Sequence, residues 1–387
     1  MFNVQTLNKI SKIGLSRLGD NYAVADDMQN PDAILVRSAA MHDMELPESL
    51  LAIARAGAGV NNIPLDKCTE KGIVVFNTPG ANANAVKELV VTGLLLSSRK
   101  VVDGIEWAKT LKGNGDAVGK MVEKGKSQFV GPEISGKTLG VIGLGAIGIL
   151  VANAAVALGM DVVGYDPFLS VDHALLISRK VKHVNTLDEV FAASDYITVH
   201  VPLTPDTKGV INEANIAKMK DGVRILNFSR ADLAVSADVL KALKEKKVAA
   251  YVTDFATDDI LGEEGVIAMP HLGASTPESE DNCAKMAADE IKDFLENGNI
   301  KNSVTMPAVA MPRTGAARVC VIHKNIPNMI SSISAKLSES GNNIEAMANQ
   351  SRKDYSYSML DTANDVTDAA VEAIKAIDGV IRFRVIK

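Results

Sequence analysis

The chain alternates short apolar runs with longer segments in which apolar residues recur every three or four positions. The short runs predict buried β-strands, and the longer periodicity predicts helices. In the first hundred residues the predicted strands are Val4–Leu7, Tyr22–Ala25, Ala33–Val36, Ala52–Ala54 and Val74–Asn77. The segment Ala83–Arg99 then predicts one long helix. Strands and helices in this order are typical of a parallel sheet.

The same alternation returns between residues 137 and 275. The predicted strands are Thr138–Ile142, Val162–Tyr165, Tyr196–His200, Arg224–Asn227, Ala250–Asp254 and Val266–Ala268. Six strands joined by helices indicate a doubly wound sheet. A long helix, Glu278–Asn297, follows and can return the chain to the first domain. We therefore expect a discontinuous first domain, residues 1–98 and 280–306, with a Rossmann-type domain, residues 99–279, inserted into it.

A third region follows a short segment rich in Pro, Gly and Ala, residues 307–316, which is typical of a linker. Beyond it the predicted elements are the strand Arg318–His323, the helix Pro327–Ser340, the strands Asn343–Gln350 and Tyr355–Thr362, the helix Asp368–Ile377 and the strand Val380–Val385. This order predicts a βαββαβ ferredoxin-like domain over residues 317–387. The predicted fold class is α/β, with two doubly wound parallel-sheet domains and this third one.

The segment Gly143-Leu-Gly-Ala-Ile-Gly148 stands between a predicted strand and a predicted helix of the second domain. In that position it is a fingerprint of dinucleotide binding, because a glycine turn and a helix N-terminus together cradle a pyrophosphate. Asp166 ends the next strand, 18 residues beyond Gly148. A carboxylate there accepts both ribose hydroxyls and repels a 2′-phosphate, so the sequence favours NAD(H) over NADP(H).

Two polar residues at predicted strand ends suit hydride transfer from a secondary alcohol. Arg230 can grip a substrate carboxylate with two hydrogen bonds. His271 follows the last strand, and histidine is the side chain that most readily exchanges a proton near neutral pH. An acidic partner for the histidine is available from several residues, namely Asp254, Asp258, Asp259, Glu263 and Glu264.

Composition excludes some classes of partner. The net charge of −6 gives the surface no general attraction for nucleic acid or anionic membrane, so an anionic substrate needs a local cluster of cations. Cys68, Cys283 and Cys320 are far apart and show no metal-binding spacing. Scattered cysteines favour a reducing compartment and buried thiols. Since the chain shows neither a leader nor a long apolar stretch, the cytoplasm is the expected location.

The order of the motifs resembles the D-2-hydroxyacid dehydrogenase family over nearly the whole chain. The segments that match are Gly143–Gly148, Tyr165-Asp-Pro167, His200–Thr207, Asn227–Arg230, Asp254 and Pro270–Thr276. Within the family, Arg55–Asn62, Asn77-Thr-Pro-Gly80 and the C-terminal region are similar to members that oxidise 3-phospho-D-glycerate with NAD⁺, the entry step of serine synthesis. Other members act on glyoxylate, hydroxypyruvate or D-lactate, and non-catalytic NAD-sensing scaffolds share the architecture.

The resemblance implies roles for individual residues. His271 is the acid–base residue and Arg230 the carboxylate anchor. The family usually places Glu five residues past the Asp254 position to orient the histidine, whereas this chain has Asp259 there. Asp259 fills that role, or Glu263 does, or the pair is absent. Lys87 is either an extra contact for the anionic substrate or an exposed helix lysine.

The resemblance also implies three sets of binding residues. The cofactor set is Gly143, Gly145, Ala146, Ile147, Gly148, Asp166, Val201, Pro202, Thr207, Phe228, Ser229, Asp254, Gly273 and Ala274. The set for a phosphorylated 2-hydroxyacid is Arg37, Ser38, Arg55, Ala58 and Gly59. The C-terminal region resembles an ACT domain, which binds amino acids where two copies meet; for L-serine the matching residues are His323, Asn325 and Asn343. A homo-oligomer, dimer or tetramer, is therefore expected.

Overall fold

The structure is a computed structural model that describes residues 1–387. It divides into two compact units. The first unit comprises Met1–Asn82 and Pro277–Lys387, and the second comprises Ala83–Thr276. Both units combine parallel sheets with helices, which confirms the predicted α/β class.

The first unit begins with a five-stranded parallel sheet in the order β2-β1-β3-β4-β5. Its elements are β1 (Phe2–Leu7), α1 (Lys12–Leu15), β2 (Tyr22–Ala25), β3 (Ala33–Val36), β4 (Ala52–Arg55), α2 (Leu65–Glu70) and β5 (Val74–Asn77). The central strand β3 is buried along its whole length, as expected for a strand covered on both faces.

The second unit is a seven-stranded parallel sheet in the order β12-β11-β10-β9-β6-β7-β8. Its elements are α3 (Ala83–Ser98), α4 (Val101–Thr110), α5 (Val118–Gly125), β6 (Thr138–Ile142), α6 (Ala146–Ala157), β7 (Asp161–Tyr165), α7 (Val171–Leu176), β8 (Val181–His183), α8 (Leu187–Ala193), β9 (Tyr196–Val199), α9 (Glu213–Ala217), β10 (Val223–Asn227), α10 (Ser236–Lys244), β11 (Val248–Thr253) and β12 (Val266–Ala268). The strand order reverses between β6 and β9, and doubly wound sheets bind ligands at such a reversal.

The rest of the first unit is a long helix and a four-stranded antiparallel sheet in the order β14-β15-β13-β16. The elements are α11 (Pro277–Asn297), β13 (Ala317–Lys324), α12 (Met329–Glu339), β14 (Ile344–Arg352), β15 (Tyr355–Thr362), α13 (Asp368–Lys375) and β16 (Val380–Ile386). They follow the βαββαβ order. No helix of the chain combines the length and the apolar composition needed to cross a membrane.

The C-terminal sheet packs on the rest of the first unit. Along β13 the side chains alternate between two cores. Cys320 and Ile322 join a core shared with the N-terminal sheet and α11, while Val319 and Val321 join a core shared with Leu337 and other residues of the C-terminal helices. This alternation follows from the two-residue period of a strand.

The boundaries of the units differ from the sequence-based ones. Helix α3 belongs to the second unit, because Val90 and Leu94 are buried in a core with strand residues of the Rossmann sheet. The C-terminal region belongs to the first unit because of the shared core. The short strand β8 adds a seventh strand to the six that were predicted.

Candidate functional site

Gly143 forms the turn that ends β6. Its φ of 94° lies in the left-handed region, and its N–H donates to the carbonyl of Tyr165 at 2.8 Å. A Cβ at this position would lie 2.6 Å from the carbonyl oxygen of His200. Only glycine fits, because both the backbone angle and the close approach exclude a side chain.

Gly145 faces open space and precedes α6. A Cβ on Gly145 would meet no atom within 4 Å, and no side chain caps the helix that begins at Ala146. The first N–H groups of α6, at Ala146 and Ile147, therefore have no side-chain acceptor and remain available to a ligand beside the turn. Gly148 is buried in the first turn against the carbonyl of Gly143. This arrangement fits the pyrophosphate of a dinucleotide.

Asp166 lies just after β7 and is fixed by two backbone groups. Its Oδ2 accepts from the N–H of Leu144 at 2.9 Å, and its Oδ1 accepts from the N–H of Phe168 at 2.8 Å. Each oxygen keeps a further lone pair for a ribose hydroxyl. The carboxylate is thus held next to the glycine turn in the position that the fingerprint predicts.

The loop after β9 supplies the second wall beside the glycine turn. Val201 is half-buried, and Thr207 closes the loop by donating its hydroxyl to the carbonyl of Pro202 at 2.6 Å. The same hydroxyl oxygen accepts from the N–H of Thr204 at 2.8 Å. These bonds give the loop a defined shape.

The turn after β10 is held by Asn227, which the sequence analysis did not assign to the site. Asn227 is fully buried, and its amide donates to the carbonyl of Arg230 at 2.8 Å while its Oδ1 accepts from the N–H of Ser229. The hydroxyl of Ser229 donates to Val199 on the neighbouring strand at 2.8 Å. Phe228 is buried and Arg230 is exposed, so the turn presents the guanidinium group to solvent.

Asp254 and His271 come from the ends of β11 and of the strand beside it. Asp254 is buried, and its Oδ2 accepts from the N–H of Gly273 at 3.2 Å. Burial raises the pKa of Asp254, while the charge of His271, the Gly273 N–H and the charge of Arg230 oppose the rise. The structure therefore brings Asp254, His271 and Arg230 into one electrostatic neighbourhood, with Ala274 following Gly273.

No contact joins Asp259 to His271. Asp259 faces Thr257 and Ser236, whose hydroxyl groups lower its pKa. Glu263 faces Lys244, at 3.9 Å. The imidazole ring of His271 instead contacts the ring of Phe255, with centroids 4.8 Å apart and the planes tilted by 51°. Of the carboxylates considered as its partner, Asp254 is the one whose pKa is lowered by the charge of His271, against the larger effect of burial.

Lys87 lies in the second turn of α3 and is half-buried. Its Nζ is 3.6 Å from the carboxylate of Glu88.

The residues assigned to a phosphorylated substrate meet at the carboxyl edge of the first sheet. Arg37 follows β3, and Arg55, which ends β4, donates its Nε to the carbonyl of Arg37 at 3.0 Å. The N–H of Ser38 donates to Asn8 at 3.0 Å, which fixes the turn. The loop of Ala58 and Gly59 follows, where Asn77 donates to the Ala58 carbonyl at 2.6 Å. Two guanidinium groups at one sheet edge suit an anion.

The residues assigned to an effector lie at opposite ends of the C-terminal sheet. Asn325 follows β13 and donates to the carbonyl of Lys353, in the turn between β14 and β15. Asn343 directly precedes β14, at the other end. His323 is buried, and its ring nitrogens contact the Lys324 carbonyl at 2.8 Å and the Ser358 hydroxyl at 2.9 Å. Both ring nitrogens are thus used inside the domain.

Residues 93–273 match the family model described as D-isomer specific 2-hydroxyacid dehydrogenase, NAD binding domain. The matched residues lie within the second unit, which is therefore an NAD-binding domain of this dehydrogenase family.

Within the family the chain is similar to D-3-phosphoglycerate dehydrogenases. It is 34% identical over 328 residues to that of Bacillus subtilis, covering 80% of this chain and 60% of the relative. It is 36% identical over 288 residues to that of Archaeoglobus fulgidus, covering 72% and 52%. The chain thus spans about half to three-fifths of the length of these curated relatives. The NAD⁺-bound 3-phosphoglycerate dehydrogenase of Entamoeba histolytica superposes with a TM-score of 0.58 at 26% identity, covering 78% of this chain and 98% of that one.

Proposed function

We propose that the protein oxidises 3-phospho-D-glycerate to 3-phosphohydroxypyruvate with NAD⁺, the first step of serine biosynthesis. The observation that supports this most is the neighbourhood of His271, Arg230 and Asp254 at the sheet edge that also holds the glycine turn. The names of the relatives support the same activity.

The residues take the following roles in this proposal. Arg230 holds the substrate carboxylate, and Arg37 with Arg55 holds the phosphate. His271 removes the proton of the C2 hydroxyl, and the tilted contact with the ring of Phe255 keeps the imidazole in place. NAD⁺, when bound, accepts the hydride. Because Asp254 is buried beside His271, its charge stabilises the imidazolium that forms.

The test is NADH formation with 3-phospho-D-glycerate by the wild type and by His271→Gln and Arg37→Gln. We expect His271→Gln to lose about 10²-fold or more in kcat, the contribution typical of a general base. We expect Arg37→Gln to raise KM while kcat changes little. Turnover of glyoxylate, hydroxypyruvate or D-lactate in place of the phosphorylated substrate would assign the chain to another dehydrogenase. NAD⁺ binding without turnover of any of these substrates would favour a non-catalytic NAD-sensing scaffold.

We also propose that L-serine binds between two copies of the C-terminal sheet and inhibits the enzyme. Asn325 and Asn343 stand at opposite ends of the sheet, so one chain cannot use both on a small ligand. Strand β14 is an edge strand. Antiparallel pairing of two such edges about a twofold axis would bring Asn343 of one copy toward Asn325 of the other. His323 would support the turn rather than contact the ligand.

The effector proposal is tested by adding millimolar L-serine to the assay and by measuring the molar mass of the protein in solution. We expect inhibition in a dimer or tetramer, and Asn325→Ala or Asn343→Ala should abolish it with little change in kcat. Inhibition by serine of a monomer, or full inhibition of both variants, would contradict the proposed site. A lack of inhibition would leave the dehydrogenase and remove the effector.

A further inference from the structure

Arg37 is already engaged by a carboxylate of the first unit. Its Nη2 lies 2.7 Å from Oε1 of Glu280, which belongs to the first turn of α11. The two side chains are 41% and 44% exposed. The pair therefore stands at the surface, where an incoming anion can reach the same guanidinium group.

Two other carboxylates of α11 are directed elsewhere. Asp281, the next residue of α11, accepts from the hydroxyl of Ser11. Asp289, two turns further along, pairs with Arg17. Burial raises the pKa of the Cys283 thiol, one turn beyond Glu280, and the charges of Arg55 and Arg37 oppose the rise. The start of α11 therefore runs beside both cations. Glu280 is thus the carboxylate of α11 that pairs with Arg37 in the anion subsite.

We propose that Glu280 competes with the substrate phosphate for Arg37 and so limits the affinity of this subsite for its anion. The inference rests on the proposed function, in which Arg37 binds that phosphate. A half-exposed ion pair contributes little free energy, so a ligand can displace it. A phosphate dianion forms two charge-assisted hydrogen bonds with a guanidinium group and gains from the exchange.

The variant that tests this competition is Glu280→Gln, which keeps the length of the side chain and removes its charge. Inorganic phosphate serves as the probe, and calorimetric titration of the full chain measures its affinity without turnover. We expect phosphate to bind about 3- to 10-fold more tightly to Glu280→Gln, the range that the loss of one exposed competing charge allows. The KM for 3-phospho-D-glycerate should fall by a similar factor, while kcat stays unchanged.

Two controls isolate the effect on Arg37. Asp289→Asn removes a carboxylate from the same helix that also pairs with an arginine, Arg17, at 2.9 Å. It should leave phosphate affinity and KM unchanged. In the double variant Arg37→Gln/Glu280→Gln the gain should disappear, because the competition needs Arg37.

The outcomes separate this inference from the proposed function. The inference is overturned if Glu280→Gln binds phosphate no more tightly than the wild type, or if neither protein binds phosphate detectably. It is also overturned if the gain in phosphate affinity persists in the double variant that lacks Arg37. Turnover of 3-phospho-D-glycerate with an unchanged KM leaves the proposed function standing and removes the role of Glu280. Tighter phosphate binding that depends on Arg37, without turnover of this substrate, supports the competition and overturns the proposed function.

Discussion

Glu290 is a buried carboxyl group with an incomplete set of hydrogen bonds. It lies on α11, where its Oε1 accepts from Asn302 at 2.7 Å and its Oε2 has no partner. Burial raises the pKa of Glu290 to about 8, against the bond from Asn302, and the charge of Asp289 adds to the rise. The folded protein therefore holds this proton at pH values where the unfolded chain has released it.

This difference makes stability fall as pH rises. An unfolded glutamate loses its proton near pH 4.3, so between that pH and about 8 the folded state binds more protons than the unfolded state. We expect Glu290→Gln to be roughly 4–5 kcal/mol more stable than the wild type at pH 8 and equally stable near pH 4. Urea denaturation at both pH values measures this. The exposed Glu372→Gln is the control, and parallel pH profiles for wild type and Glu290→Gln would refute the expectation.

The placement of Arg230 and His271 was predictable from sequence, because it depends on their position at strand ends. Arg230 and His271 follow strands, and the structure places both in the neighbourhood of Asp254. The partner of His271 was not predictable, because the direction of Asp259 depends on how its loop packs near Ser236 at the start of α10. No local pattern in the sequence encodes that contact.

At the scale of elements, the two glycines of the β6–α6 turn are needed for different reasons. Gly143 has a φ of 94° and a backbone neighbour in the place of a side chain, whereas Gly145 has a φ of −80° and open space. Gly143→Ala should thus lose at least about 1–2 kcal/mol of stability from the backbone angle alone. Gly145→Ala should fold normally, because alanine adopts its backbone angles without strain.

The same pair of variants tests the cofactor site. The methyl group of Gly145→Ala projects into the space that the pyrophosphate needs, so NADH should bind about tenfold more weakly or worse, a loss of about 1.4 kcal/mol. Thermal unfolding and fluorescence titration with NADH measure the two effects. A Gly145→Ala protein with wild-type affinity would show that the pyrophosphate does not approach this glycine.

Three elements of the second unit escaped the sequence analysis. The edge strand β8 reads Val181-Lys-His183, half-buried at most, and gives no run of buried residues. Helices α4 and α5 bury none of their residues, and Val101, Val102 and Ile105 are about half exposed. A strand is predicted from a run of apolar residues, so β8 gives no signal, whereas α4 and α5 carry apolar residues at helical spacing that the sequence analysis did not use.

Arg318 and Asp361 form a buried ion pair between β13 and β15. Both side chains are fully buried, and Nε and Nη2 of Arg318 donate to the two oxygens of Asp361 at 2.6 and 2.8 Å. Arg318 also donates to the carbonyls of Asn297, Met311 and Pro312, so it ties the linker and the end of α11 to the sheet.

Removing one partner of this pair should be costly. Asp361→Asn leaves the Arg318 charge without its counter-charge in the interior, and we expect a loss of about 3–5 kcal/mol. Burial raises the pKa of Asp361, but the bonds from Arg318 outweigh it and leave the pKa lowered, so this stabilisation holds at neutral pH and disappears as the pH falls through that lowered value. Urea denaturation checks the loss. The exposed Glu339→Gln, which breaks the pair with Lys336, should cost at most about 1 kcal/mol.

At the scale of the whole molecule, the first unit joins the two ends of the chain through one core. The face of the C-terminal sheet that carries Cys320, Ile322, Tyr357 and Met359 packs with residues of the N-terminal sheet and α11. The hydroxyl of Tyr357 donates to the carbonyl of Gly298 at 2.6 Å across this contact. The sequence pattern of the βαββαβ region shows that both faces of its sheet are apolar. It does not show which elements cover each face, so the region looks self-contained from sequence.

The two faces of β13 therefore predict different consequences for two neighbouring substitutions. Ile322→Ala and Val321→Ala each remove buried atoms and should each cost about 1–4 kcal/mol. Ile322→Ala opens the core that both sheets share, so hydrogen exchange should accelerate in β4, β5 and α11 as well as in the C-terminal sheet. Val321→Ala opens the core under α12 and α13, so faster exchange should stay within residues 317–387. Equal exchange patterns in the two variants would mean that the first unit unfolds as a single cooperative block, whereas protection of β4 and β5 in Ile322→Ala would mean that the N-terminal sheet is stable without the C-terminal one.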